Sequence, residues 1–253
     1  SFELEYLVIM ERLKITVIGG SASTNITLAG HEDAWPSLLQ SQKPDNLSLK
    51  HISKGGLTLT RALDILADQN ESDLIIFHFG TSVGWPISLV RMNKRFGIDF
   101  ETEHGFHQPL AKSKSFKRRI LGFFRMRFRN LVKYILFFLG LYKPAVSPRE
   151  LDDQVTAVLH HAFRLSPKVI WIQHAARVDS RIFLERKIYK RFYAQIIKSL
   201  RVHSSENLHV IEYSHPFIHG DNYINDGVHL TAHGHQEVSK KVLRGINQLF
   251  PTL

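Results

Sequence analysis

The chain has 253 residues, of which 43% are hydrophobic and 22% charged; these are globular proportions and allow one substantial core. It contains no cysteine, which excludes a disulfide framework and any thiolate metal site. The formal net charge is +10, but eleven Lys and Arg residues lie between His104 and Arg149 with no Asp or Glu among them, so the rest of the chain is close to neutral. A nucleic-acid enzyme would spread its cations around a working cleft, so nucleic acid is a disfavoured partner.

The chain opens with Glu3, Glu5 and Glu11 where a secretory leader would be basic, and residues 1–9 read either as an artificial remnant or as a non-native extension ahead of Met10. Lys14–Gly19 is a β-rich run ending in glycine and predicts a buried strand. Asn46–Ser53 alternates and predicts a second strand, and Thr58–Gln69 has apolar residues at helical spacing. Asp73–Phe79 is a continuous apolar run of the kind found in central parallel strands. Pro148–Leu165 predicts a helix with Ser147 as its N-cap, and Lys168–Gln173 a further buried strand. Arg181–Val202 predicts a long amphipathic helix, Leu208–Tyr213 a last strand, and Leu230–Phe250 a closing helix stopped by Pro251.

With a helix between the first two strands, the order is β-α-β-α-β-insertion-α-β-α-β-α. This implies an α/β protein, a three-layer α/β/α sandwich with a mostly parallel sheet, in one domain over residues 10–253. Residues 99–147 form a basic insertion within it. In such sheets ligands bind beyond the carboxyl ends of the strands, which directs attention to the residues after Gly19, Ser53, Phe79, Gln173 and Tyr213.

After the first strand comes Gly19-Gly20-Ser21. A serine on a glycine turn at a strand's carboxyl end is placed as a nucleophile. The same residues also suit a helix N-cap at Ser21 or a phosphate loop. After the last strand comes Asp226-Gly227-Val228-His229. An Asp three residues before a His can orient an imidazole base, although Asp226 or Thr231 also suits a helix cap.

Taken together, these blocks resemble the SGNH (GDSL-type) hydrolases, with the flavodoxin-like fold that this family implies. Gly19-Gly20-Ser21 matches the family's first block, Gly55-Gly56 its second, Gly80-Thr81-Ser82-Val83 its third, and Asp226-Gly227-Val228-His229 its last. The resemblance implies a catalytic triad of Ser21, Asp226 and His229, and an oxyanion hole built from Ser21, Gly56 and a third donor. Gly20 stands where the family has aspartate, and Ser82 where it has the oxyanion asparagine, so Ser82 is the candidate third donor and Thr81 a second choice. His174 and Arg177, after the fourth strand, are candidate substrate-binding residues with Thr81.

No metal is expected. His78, His174, His215, His219 and Asp221 lack any recognised ligand spacing, and each histidine reads as internally satisfied or substrate-facing; His233 and His235 read as exposed at the start of the last helix. The implied activity is ester hydrolysis of O-acyl groups, chiefly O-acetyl, on a glycan or lipid-linked substrate. O-acetyl transfer to a polysaccharide and a non-catalytic binding module are the alternatives. A hydrolase needs no cofactor, whereas a transferase needs an acetyl donor such as acetyl-CoA.

Placed at 100° steps, Ile120, Phe124, Phe128, Leu131 and Ile135 share one arc of a helix over 116–139, opposite Arg118, Arg125, Arg129 and Lys133. Lys117 and Arg127 break the pattern. Such a helix suits an anionic membrane surface through residues 112–143, a lid or oligomer contact, or an acidic polymer. The longest uncharged apolar run there, Tyr134–Tyr142, is far short of the ~20 residues that a spanning helix needs. The expected location is cytoplasmic, peripheral to the inner face of the membrane.

Overall fold

The structure, a computed structural model, describes residues 12–24, 34–42, 47–54, 56–80, 131, 135, 138, 139, 146–173, 183–213, 221–223 and 229–251. Five strands form one sheet: β1 (Leu13–Gly19), β2 (Leu47–Ser53), β3 (Leu74–Phe79), β4 (Lys168–Gln173) and β5 (Leu208–Glu212). Their order is β2-β1-β3-β4-β5, and among the described residues every neighbouring pair is parallel, in keeping with the expected parallel α/β sheet. The connecting helices are α1 (Trp35–Gln42), α2 (Leu59–Ala67), α3 (Pro148–Leu165), α4 (Phe183–Val202) and α5 (Ala232–Leu249).

The strand period of two sorts the core into two layers. Ile18, Ile75, Phe77, Phe79, Val169 and Trp171 face one side and pack with α2, α3 and α4. Ile15, Val17, Leu74, Ile76, Ile170 and Ile172 face the other and pack with α1 and α5. Because both faces are covered, β3 is buried at all six positions, whereas the edge strand β2 buries little beyond Leu47. Phe77, Phe79 and Trp171 form an aromatic cluster, with the Phe79 and Trp171 ring centres 4.6 Å apart.

Local signals set the helix ends. Ser147 and Glu150 form a reciprocal capping box with Pro148 in the first turn, as an N-cap at Ser147 requires. The closing helix starts two residues later than its apolar pattern suggests. Leu230 pairs with Tyr223 in an antiparallel bridge, and the Thr231 side chain accepts the Gly234 N–H as the N-cap. In the insertion, Leu131, Ile135 and Phe138 are helical, and the Leu139 N–H donates to the Ile135 carbonyl at 3.0 Å. The rest of the expected 116–139 helix and residues 1–9 lie outside the described residues.

The order 2-1-3-4-5 reverses direction between β1 and β3. The carboxyl ends of these two strands therefore flank the crevice where doubly wound sheets bind ligands.

Candidate active site

Ser21 stands at that crevice. The residues after β1 close into a single 3₁₀ turn over Ser21–Ser23, with Gly20 rather than Ser21 in the capping position and no side-chain cap. The N-cap alternative for Ser21 is thus not what the fold uses. The Gly20 N–H donates to the His78 carbonyl at 3.0 Å, which ties the turn to the end of β3. Within the turn, the Ser23 N–H donates to the Gly20 carbonyl, and the Thr24 N–H and hydroxyl both donate to the Ser21 carbonyl. These bonds leave the Ser21 amide and hydroxyl outside the turn's own hydrogen bonding, as a nucleophile that also supplies an oxyanion donor requires. Ser21 is 7% exposed.

The Ser23 hydroxyl braces the turn from beneath. It donates to the Gly20 carbonyl at 2.7 Å, so the 3.1 Å contact with His51 has the ring Nε2–H as donor. His51 was not singled out by the sequence; its only signal is its place near the carboxyl end of β2, level with Val17. A Cβ on Gly19 would lie 2.1 Å from the Ser23 Oγ and 2.5 Å from its Cβ. Gly19→Ala should therefore push the brace and its backbone aside and misplace the nucleophile, lowering kcat about 10- to 100-fold and Tm by roughly 2–10 °C. Steady-state kinetics beside a thermal melt will show it.

Gly56 follows β2 with φ 65°, the left-handed conformation that favours glycine. The next residue, buried Leu57, lies against Gly20: a Cβ on Gly20 would meet the Leu57 Cβ at 3.6 Å. The second candidate oxyanion donor is thus carried beside the nucleophile turn. The same 3.6 Å is ordinary contact, so space alone does not forbid a side chain at position 20.

His229 is half-buried and precedes the Tyr223–Leu230 bridge. Thr231 fixes this approach: its N–H donates to the Asn222 carbonyl at 2.8 Å and its hydroxyl to the Asp221 carbonyl at 2.6 Å. Gly234 permits the close crossing, since a Cβ there would lie 2.2 Å from the Asn222 carbonyl oxygen. Among the described residues no hydrogen bond joins Ser21 to His229. Asp226, Thr81, Ser82, His174 and Arg177 lie outside the described residues, as do His215 and His219.

A buried network beneath the crevice links these pieces. The Trp35 indole N–H donates to the His78 Nδ1 at 3.0 Å, and the His78 Nε2 meets the Tyr213 hydroxyl at 3.1 Å. Indole can only donate, so Nδ1 is the acceptor and Nε2 carries the hydrogen. The Trp35 backbone N–H donates to the His235 Nδ1 at 3.3 Å. His235 is therefore buried in the first turn of α5, not exposed as its sequence position suggested, because α1 packs over it. His233 is exposed as expected. Gly20, His78, Trp35 and His235 thus form a chain of contacts from the nucleophile turn to the start of α5, six residues beyond His229. Burial holds the Tyr213 hydroxyl well above the ordinary tyrosine range, so it stays protonated.

His78 fits the reading of an internally satisfied histidine. No group of three candidate metal ligands occurs among the described residues.

Desolvation lowers the pKa values of His51 and His209 below 6.5. The unfolded chain takes up protons at these rings near pH 6.5, whereas the folded chain does so only at lower pH. The stability they confer is complete above that pH and falls as the pH drops below it. Urea melts at pH 7.5 and 5.5 should show this loss, and a His51→Gln/His209→Gln variant should show less of it.

No protein-family model matches the sequence, and no curated protein matches it. Solved structures do. A lipase/acylhydrolase from Enterococcus faecalis superposes with TM-score 0.58 at 13% identity, covering 92% of this chain and 95% of that one. A member of the lipolytic protein G-D-S-L family from Veillonella parvula gives TM-score 0.57 at 11% identity, covering 95% and 99%. The chain has the fold of the G-D-S-L lipolytic proteins. The psychrotrophic esterase EstA from Pseudoalteromonas is similar at TM-score 0.51 and 13% identity, covering 95% of this chain and all of that one. At these identities the likeness is one of fold. It agrees with the motif resemblance in the sequence and leaves the chemistry to the site itself.

Proposed function

We propose that the protein is a serine esterase that removes O-acyl groups, chiefly O-acetyl, from a glycan or lipid-linked substrate. The observation that carries this reading is the Ser21 turn: a serine at the switch point of the sheet whose amide and hydroxyl take no part in the turn's own bonds. The Ser21 Oγ attacks the ester carbonyl carbon while His229 takes its proton, and Asp226 orients the imidazole and stabilises its charged form. The oxyanion is held by the Ser21 and Gly56 amides, with Ser82 as the third donor and Thr81 as a second candidate for that place. The alcohol leaves with the proton from His229. Water then attacks the acyl-enzyme, giving acetate and free Ser21. An almost closed nucleophile suits a small acyl group, and His174 and Arg177 would bind the alcohol portion.

Transfer uses the same steps with a carbohydrate hydroxyl in place of water and an acetyl donor such as acetyl-CoA. A retained fold that binds without chemistry is the remaining reading. The test is to supply p-nitrophenyl acetate, longer-chain esters and acetyl-CoA, with and without carbohydrate acceptors. Acetate release fastest from the shortest ester supports the esterase; acetylated acceptor supports transfer. No turnover of any ester or donor would overturn both in favour of the binding module.

A further inference from the structure

The described part of the insertion presents large apolar side chains to solvent. Leu131 is 55% exposed, Ile135 48%, Phe138 82% and Leu139 65%. The spacing i, i+4, i+7, i+8 puts all four within about 100° of one another around a helix. Among the described residues the one other large hydrophobic so exposed is Val202. In sequence, residues 112–143, the stretch that contains these four, carry ten Lys and Arg and no Asp or Glu.

We propose that this face docks on the surface of an anionic lipid bilayer, with Leu131, Ile135, Phe138 and Leu139 entering the boundary between headgroups and acyl chains. Both halves of the chemistry are needed. Cations alone would serve a nucleic acid, which gives aliphatic and phenyl groups nowhere to go. Apolar groups alone would serve a second copy, but a symmetric pair would bring two all-positive segments together. A bilayer with acidic headgroups satisfies both, since the basic residues meet phosphate and carboxylate groups while the apolar arc leaves water. The segment is suited to lying on the surface rather than crossing it, because its longest uncharged apolar run, Tyr134–Tyr142, is far short of the ~20 residues that a spanning helix needs. This docking is independent of the chemistry at Ser21.

The test is co-sedimentation of the full chain with phosphatidylcholine vesicles, with and without phosphatidylserine. The wild type and Ser21→Ala should bind the anionic vesicles alike, at least about tenfold more tightly than the neutral ones, and less tightly as salt rises. Leu131→Ser/Ile135→Ser/Phe138→Ser/Leu139→Ser should weaken binding at least about tenfold. Phe138→Ser alone, at a site too exposed to endanger the fold, should weaken it several-fold. Sedimentation velocity without lipid and binding to duplex DNA complete the set. Absence of binding to anionic vesicles, or binding unchanged by the apolar substitutions, overturns the proposal. So does self-association that the four serines abolish, or duplex binding as tight as vesicle binding and indifferent to them.

Discussion

Replacing Ser21 with alanine should lower kcat for ester cleavage about 10⁴- to 10⁶-fold while leaving the protein folded. The magnitude follows from what a triad does. The nucleophile and its base act as one unit, so removing either discards nearly all of their joint contribution, and only binding and the oxyanion donors remain. A loss of this size is about 5–8 kcal/mol of transition-state stabilisation. Stability should scarcely change, since the Ser21 hydroxyl takes no part in the hydrogen bonds that hold the turn. His229→Gln should cost a similar factor, and the double variant little more than either single one. Hydrolysis of p-nitrophenyl acetate by the three variants, with covalent labelling of the wild type by a fluorophosphonate, checks this. Full activity or full labelling in Ser21→Ala would place the nucleophile elsewhere. A double variant whose losses multiply would mean that the two residues do not act on one step.

The parts of this arrangement that a sequence can carry are those written in local pattern. β1, β3 and β4 are short apolar runs because both faces of the sheet are covered, and their bounds were readable to within a residue. Ser147 announced α3 because an N-cap and its Glu150 partner are three residues apart. Ser21 and Gly56 became candidates through the resemblance of their glycine blocks, and the strand order brings the turns that carry them side by side.

What was hidden depends on distance along the chain. α1 has eight residues, and nothing in Trp35-Pro36-Ser37 announces that the indole is fully buried. The burial of His235 is decided by Trp35, 200 residues away, and the tautomer of His78 by Trp35, 43 residues away. A histidine at the start of a helix looks exposed until the helix that covers it is known. His51 was missed for the same reason, since its partner Ser23 lies on a different element.

That hidden network carries the largest stability effect to be expected of a single substitution. Trp35→Ala should lower stability by about 3–5 kcal/mol, the usual cost of truncating a fully buried large aromatic, and should lower Tm by roughly 10 °C. Two losses combine: the apolar volume between α1 and α5, and the indole N–H that donates to the His78 Nδ1. Trp35→Phe separates them. It keeps most of the ring and the backbone bond to His235 but removes the buried indole bond to Nδ1, which should cost about 1–3 kcal/mol. In a His78→Leu background no nitrogen is left to satisfy, so Trp35→Phe should then cost much less, and the two substitutions should not add. Urea melts followed by far-UV circular dichroism give all four corners of that cycle. The same melts bear on catalysis, because the residue whose ring anchors Trp35 also holds the Gly20 N–H through its carbonyl. If Trp35→Phe also lowers kcat at a temperature where the variant is fully folded, the brace beneath the core is what keeps the Ser21 turn in place. If kcat is unchanged and only the melt moves, the turn keeps its place without the indole bond, through its own hydrogen bonds and the Ser23–His51 brace.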